Sequence, residues 1–241
     1  MPADAKVQRI VLKLSGEALC SADGFGFESA QVALLVEEIL RLVSEGGVQL
    51  AVVTGAGNLL RARDLADDPH IRRVTADYMG MLGTVMNAIA LRDALAAHGC
   101  EARAMSALPL PAVCEPYCTR DAIRHLEAGR IVIFGGGTGS PFFTTDTTAA
   151  LRASEIEADL IVKATKVDGV YDSDPMINPN AKKYERLTYK QAMAERLGVM
   201  DLAAFSLCWE NRIPIVVCQL FAEGNLAKAA RGEKVGTLIS E

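Results

Sequence analysis

Four charged side chains in this 241-residue sequence stand where an apolar run meets a glycine or hydroxyl turn: Lys13, Arg61, Asp146 and Lys163. Lys13 closes the run "RIVLKL" and opens into Ser15-Gly16, where backbone N–H groups can approach a phosphate. Arg61 follows "TGAGNLL". Its Gly55 and Gly57 end a strand pattern and lead into a helical one, an arrangement that binds anions, and a guanidinium there could fork onto phosphoryl oxygens. Asp146 ends "GGGTGSPFFTTD", a glycine loop with no Walker lysine after it. Thr144, Thr145 and Asp146 read as a helix start, so Asp146 is either a plain N-cap or a working carboxylate held at a helix dipole. Lys163 and Lys166 flank the end of "DLIVKA". Asp168-Gly169 then reads as a tight turn, with Tyr171 and Asp174 in the loop beyond it. Tyr171 is either a face for a purine or an ordinary exposed loop tyrosine.

No histidine or cysteine is placed as a nucleophile with a base, and no carboxylates cluster as a metal cage. Lysines, an arginine, glycine loops and one organising aspartate suit phosphoryl transfer, which asks for positioning and neutralisation of charge. An acceptor that is itself a phosphate, with a second pKa of about 6, is already ionised at neutral pH and needs no general base.

The elements that must hold these groups follow from apolar periodicity. Strand-length runs fall at 9–14, 48–53, 101–105, 130–134, 159–164, 213–218 and 236–240. Most are continuous, as in strands buried on both faces. Residues 29–45 place Val32, Leu35, Ile39, Leu42 and Val43 on one helical face, with Ser29 as N-cap and Gly46-Gly47 as the stop. A long helix is predicted over 71–97. Its Gly80, Gly83, Thr84 and Asn87 form a small-residue face, either for close packing within the chain or for a dimer interface. The β-α alternation predicts a mostly parallel sheet with helices on both faces, as one domain over 1–241, and segment 172–186 reads as a surface excursion. Ligands in such sheets sit beyond the C-terminal strand ends, where the loops after 14, 53, 134 and 164 would converge.

With 25 basic and 30 acidic residues the net charge is −5, and no basic stripe suggests nucleic acid as a partner. No run reaches the roughly 20 apolar residues of a bilayer span, and the N-terminus lacks a signal-peptide core, so the expectation is a cytoplasmic protein without a membrane partner. The six cysteines are scattered. Cys114 and Cys118 lack the second pair that a zinc site needs, and no metal ligand set is expected.

The segments "KLSGEAL", "GAGNLLR", "ADYMGMLGTVMNAIALRDAL", "GTGSPFFTTD" and "KATKVDGVYDSDP", with "VMDLAAF" and the tail "GTLISE", resemble the bacterial UMP kinases of the amino acid kinase superfamily almost end to end. The resemblance implies a three-layer αβα sandwich around a mostly parallel sheet. It also implies a homohexamer built of dimers, and Mg²⁺-dependent transfer of the ATP γ-phosphoryl group to UMP in pyrimidine nucleotide biosynthesis. The N-terminal part would serve mainly the acceptor and the C-terminal part mainly ATP. Lys13, Leu14, Ser15 and Gly16 would hold ATP phosphates, with Gly57 and Arg61 at the transfer centre. Thr165, Tyr171 and Asp174 would line the ATP base and ribose pocket. Asp77 would accept ribose hydroxyls of UMP. Thr138, Gly139, Ser140, Pro141, Phe142, Phe143, Thr144 and Thr145 would wrap the uridine nucleotide, which explains a glycine loop without a Walker lysine. Asp146 would orient Lys13 and Lys163, making Lys13, Arg61, Asp146 and Lys163 the catalytic set. GTP as activator and UTP as inhibitor are further family expectations, GTP through segment 21–26.

Two positions depart from the family pattern. Ala56 replaces a glycine that commonly contacts UMP, and Ser140 stands where asparagine is frequent. A small-acceptor kinase of the same fold would need neither Asp77 nor the wrapping loop. A non-catalytic relative would be expected to have lost at least one of Lys13, Arg61, Asp146 and Lys163. No Gly-x-Gly-x-x-Gly follows the first strand, as a dinucleotide-binding dehydrogenase would require.

Overall fold

The computed structural model describes residues 9–21, 24–60, 69–175 and 177–241. Seven strands sit within two residues of the runs expected: β1 (Arg9–Leu14), β2 (Gln49–Thr54), β3 (Ala102–Ser106), β5 (Ile131–Gly135), β6 (Leu160–Thr165), β10 (Ile215–Gln219) and β11 (Thr237–Ser240). The short β4 (Glu115–Pro116), β7 (Val170–Tyr171), β8 (Lys183–Tyr184) and β9 (Arg186–Thr188) are additions that the apolar pattern does not signal. Helices lie between them: α1 (Ser29–Gly46), α2 (Arg73–Ala97), α3 (Thr119–Glu127), α4 (Thr145–Glu155), α5 (Tyr189–Ala194), α6 (Leu202–Glu210) and α7 (Asn225–Ala230).

Nine strands form one sheet in the order β4-β3-β5-β2-β1-β6-β10-β11-β9. Every pairing is parallel except β10 with β11. Alternation along the strands divides the core in two. Ile10, Leu12, Leu50, Val52, Ile133 and Val162 pack against α1, α2 and α7. Val11, Ala51, Val53, Val132, Phe134 and Ile161 pack against α3, α4, α5 and α6. This is the three-layer αβα sandwich. Leu35, Ile39 and Leu42 of α1 are wholly buried, each worth about 1.5–3 kcal/mol of burial.

The start of α1 corrects one expectation. Glu28, not Ser29, occupies the cap position and makes no capping bond. Its carboxylate instead accepts from the Ser21 hydroxyl at 2.8 Å. The helix ends at Gly47 with φ 63°, a left-handed cap that glycine adopts without strain. The excursion after β6 is more ordered than its composition suggests. β7 and β8 pair antiparallel, and β9 then joins the edge of the main sheet beside β11. The six cysteines form no disulfide. Among the described residues no helix is long and apolar enough to cross a membrane.

Candidate active site

Strand register makes the first contact. β1 and β6 align Lys13 with Lys163. The strand period of two turns both side chains toward the α4 layer, the side of Val11 and Ile161. Asp146, in the first turn of α4, meets them there. Its Oδ1 lies 2.9 Å from Lys13 Nζ, and its Oδ2 accepts from Lys163 Nζ at 2.8 Å. The three side chains are only 13 %, 16 % and 12 % exposed for Lys13, Asp146 and Lys163. Burial, and then the charge of Lys13, hold the Lys163 ammonium below the usual lysine range, with Asp146 opposing both. Lys163 also donates to the Val199 carbonyl.

The helix cap rules out the plain N-cap reading of Asp146. Thr144 is the N-cap of α4, its Oγ1 accepting from the N–H groups of Asp146 and Thr147 at 3.1 and 3.2 Å. The Asp146 carboxylate is therefore left for the lysines, at a helix end that favours an anion. Asp201 completes this corner and was not among the expected site residues. It caps α6 by accepting from Ala204 N–H at 3.0 Å, and it accepts from the hydroxyls of Thr144 and Thr147. Burial alone would raise its carboxyl, but those hydroxyls and N–H groups hold it below the usual range. Its only sequence signal is an aspartate before an apolar helical run, which reads as a cap and no more.

Two glycine turns press together beside the lysines. Gly55 N–H donates to Leu14 O at 2.9 Å. A Cβ on Gly16 would stand 2.5 Å from Gly57 N and 2.8 Å from Gly55 O, so the approach requires glycine. Three residues of the small-residue face of α2, Gly83, Thr84 and Asn87, pack within the chain, while Gly80 lines an open cavity. A Cβ on Gly83 would reach 2.9 Å from Ala56 Cβ. Asn87 donates to Gly55 O at 2.7 Å and exchanges hydrogen bonds with Asn58, while Thr84 Oγ1 accepts from Gly136 N–H at 2.8 Å.

The loop after β5 bends through left-handed φ values at Gly136 (76°), Gly137 (58°), Gly139 (82°) and Phe142 (72°). A phenylalanine there is strained and needs a hold. Asp77 Oδ2 supplies one, accepting from Phe142 N–H at 2.9 Å while Arg73 Nε donates to both Asp77 oxygens. Phe142 and Phe143 remain 65 % and 54 % exposed.

A cavity of about 420 Å³ lies between the turns and this loop. Lys13, Ser15, Gly16, Ala56 and Gly57 line one side, and Asp77, Ser140, Phe143, Thr144 and Thr145 the other. Asp146 and Lys163 meet Lys13 at its edge. Leu14 is buried in the core rather than lining the cavity. Thr138, Gly139, Pro141 and Phe142 belong to the loop without lining it. Thr165 ends β6, Tyr171 ends β7 and Asp174 follows in the next loop, and none of the three lines this cavity. Tyr171 donates to Asp168 Oδ1 at 2.6 Å, and Lys183 pairs with Asp168 Oδ2 at 2.8 Å. Arg61 lies outside the described residues. A cavity of about 500 Å³ elsewhere, lined by Arg92, Arg103, Cys114 and Glu115, has neither glycine turns nor the paired lysines.

Among the described residues no three His, Cys, Asp or Glu side chains group to hold a metal. Asp146 is already committed to two ammonium groups. The donor set thus fits a cation brought in by a polyphosphate rather than one caged by the protein.

Two buried cations on one carboxylate, glycine turns at the strand ends and an αβα sandwich define a phosphotransferase centre of one class. The chain belongs to the amino acid kinase family, which it matches over residues 8–219. Within that family it is similar along nearly its whole length to three solved nucleotide kinases. A UMP kinase from Bacillus anthracis is 40 % identical with a TM-score of 0.94, over 98 % of this chain and 97 % of that one. A UMP kinase from Ureaplasma parvum is 34 % identical with a TM-score of 0.90, over 98 % and 100 %. A uridylate kinase from Archaeoglobus fulgidus is 32 % identical with a TM-score of 0.74, over 96 % and 99 %.

Proposed function

We propose that this protein is a UMP kinase that transfers the γ-phosphoryl group of ATP to UMP, giving UDP and ADP. The observation that carries the reading is Asp146 bridging Lys13 and Lys163 at the edge of a cavity walled by the "GTGSPFFTTD" loop. The UMP phosphate is largely dianionic at neutral pH and attacks without a general base. Lys13 and Lys163 neutralise charge on the group in transit. Asp146 fixes where their ammonium groups point, so little reorganisation is needed as charge moves. The turns Ser15-Gly16 and Ala56-Gly57 offer N–H groups to the ATP phosphates, with Arg61 as a further cation. Thr165, Tyr171 and Asp174 take the adenosine end. Asp77 and the loop from Thr138 to Thr145 take the nucleoside of UMP, the exposed Phe143 ring giving it an apolar face. Mg²⁺ bound with ATP would neutralise charge on its phosphates, alongside Lys13 and Lys163.

The two ends of the chain divide the labour within one domain, the acceptor lying mainly on the N-terminal part and ATP on the C-terminal part. The protein assembles with copies of itself. Tyr78, Leu82 and Met86 recur every four residues of α2 at 41 %, 46 % and 49 % exposure, an apolar stripe suited to a second copy and, by repetition, to a hexamer of three dimers. GTP activation and UTP inhibition are part of the same reading.

The test is ADP release from MgATP against UMP, CMP, dUMP, AMP, acetylglutamate and aspartate, with and without GTP or UTP. Strong turnover with UMP alone supports the reading. Turnover with a carboxylate acceptor, or none with a sample that binds UMP, sinks it.

A further inference from the structure

The loop that would wrap UMP is held from beneath by a buried cation that the transfer chemistry does not use. Arg152 lies on α4 and is 2 % exposed. Its Nη2 donates to the Gly137 carbonyl at 3.2 Å, at the middle of three left-handed glycines. Its Nη1 pairs with Glu155, and its guanidinium carbon stands 3.8 Å from the centre of the Tyr117 ring. Tyr117 in turn donates to Glu155 at 2.5 Å and meets Phe134, a wall residue of the cavity, edge to face at 5.4 Å. Burial first, and then the bond to Glu155, push the Tyr117 hydroxyl up to about 12, so it stays protonated as that donor.

A buried charge is costly unless paired and hydrogen-bonded. Here the carboxylate, the ring face and the loop carbonyl together meet that need, and the planar fork serves all three at once, which a lysine ammonium cannot do. Among the described residues, α2 holds the loop through Thr84 at Gly136 and Asp77 at Phe142, and Asp201 holds its end at Thr144. Thr144 and Thr148 join the end of the loop to the first turn of α4, and Arg152 ties the glycine stretch at Gly137 to the far half of that helix, which carries Asp146 in its first turn.

We propose that Arg152, locked by Glu155 and Tyr117, is a positioning residue that sets the acceptor loop in register with the Asp146 end of α4, and so governs affinity for the acceptor nucleotide without touching it. This rests on the reading of Thr138–Thr145 as the UMP loop.

The test compares Arg152→Met, Arg152→Lys and Thr145→Val by steady-state kinetics, well below each variant's melting temperature. Arg152→Met is expected to raise the UMP KM about tenfold or more while moving the ATP KM, and kcat at saturating UMP, by less than about twofold. Arg152→Lys, which keeps charge but loses the stack and fork, is expected to raise the UMP KM by an intermediate factor. Should Arg152→Met fail to fold, Tyr117→Leu carries the same expectation at severalfold size. A purely structural residue would lower the melting temperature and leave both KM values in place, or move both alike. Either result, with Thr145→Val still raising the UMP KM, overturns the clamp. If Thr145→Val also leaves the UMP KM unchanged, the loop reading fails and the clamp fails with it.

Discussion

Asp146 shares its two oxygens between two ammonium groups, so replacing one oxygen by an amide nitrogen points a donor at a cation. Asp146→Asn is expected to lower kcat by about 10²–10³-fold, the scale of losing one preorganised electrostatic group. UMP affinity measured by calorimetry should be nearly retained, because the carboxylate faces lysines rather than the acceptor loop. Normal turnover in that variant would remove Asp146 from the mechanism. Lys163 gives a pH signature. Burial and the neighbouring Lys13 lower its pKa, so the free enzyme loses this cation as pH rises through a value below the ordinary lysine figure of about 10.4. The kcat/KM for ATP should therefore fall on the alkaline side earlier than an exposed lysine would allow. A profile flat up to that figure would rule out the dependence. At this scale the sequence was informative where residue type and strand position agree, as for Lys13, Lys163 and Asp146. It was silent on Asp201 and Arg152, whose partners come from distant segments and whose spacing carries no signature.

Elements decide whether the turns beside these residues can close. Gly83 of α2 faces Ala56, and the missing Cβ leaves the room that Ala56 occupies. Gly83→Ala should push the Gly55–Gly57 turn away from Gly16 and cut kcat/KM for both substrates by about tenfold. The double variant Gly83→Ala/Ala56→Gly should regain most of the loss, since it moves the methyl group across the contact. Failure of the second change to rescue the first would mean that another neighbour sets the turn. The complementarity also accounts for the departure at Ala56, which makes sense only beside a glycine on the facing helix. Long elements were legible because apolar periodicity marks them, and β1, β2, β3, β5, β6, β10 and β11 shifted by at most two residues at their ends. The two- and three-residue strands β4, β7, β8 and β9 were not, because such short pieces are fixed by their pairing partners rather than by their own composition.

At the scale of the whole molecule, the sandwich bears on the proposed self-assembly and on stability at alkaline pH. Leu82→Glu and Met86→Glu on α2 should shift the mass seen by light scattering from oligomer toward monomer, with the cavity on the opposite face of the helix intact. An unchanged mass would place the interface elsewhere. Cys208 and Cys218 sit on opposite faces of the sheet, and burial pushes both thiols up to about 12. An unfolded chain sheds those protons near 8.5 whereas the folded one keeps them, so stability present below that pH is lost as pH rises. The urea midpoint should fall between about pH 8.5 and 10, and Cys218→Val should flatten the decline. Lys163 works in the opposite direction over the same range, because there the unfolded chain holds the extra proton, but a single lysine is outnumbered by two thiols. The central register has a further consequence, for synthesis. β1 leaves the ribosome well before its partner β6, which ends at Thr165. At about 5–20 residues per second, the nascent chain waits on the order of ten seconds with one side of β1 uncovered. Through that interval Lys13 has neither Asp146 nor Lys163 beside it. A product that stops before residue 163 lacks the Lys13–Asp146–Lys163 cluster, and it exposes an apolar strand edge for chaperones to recognise.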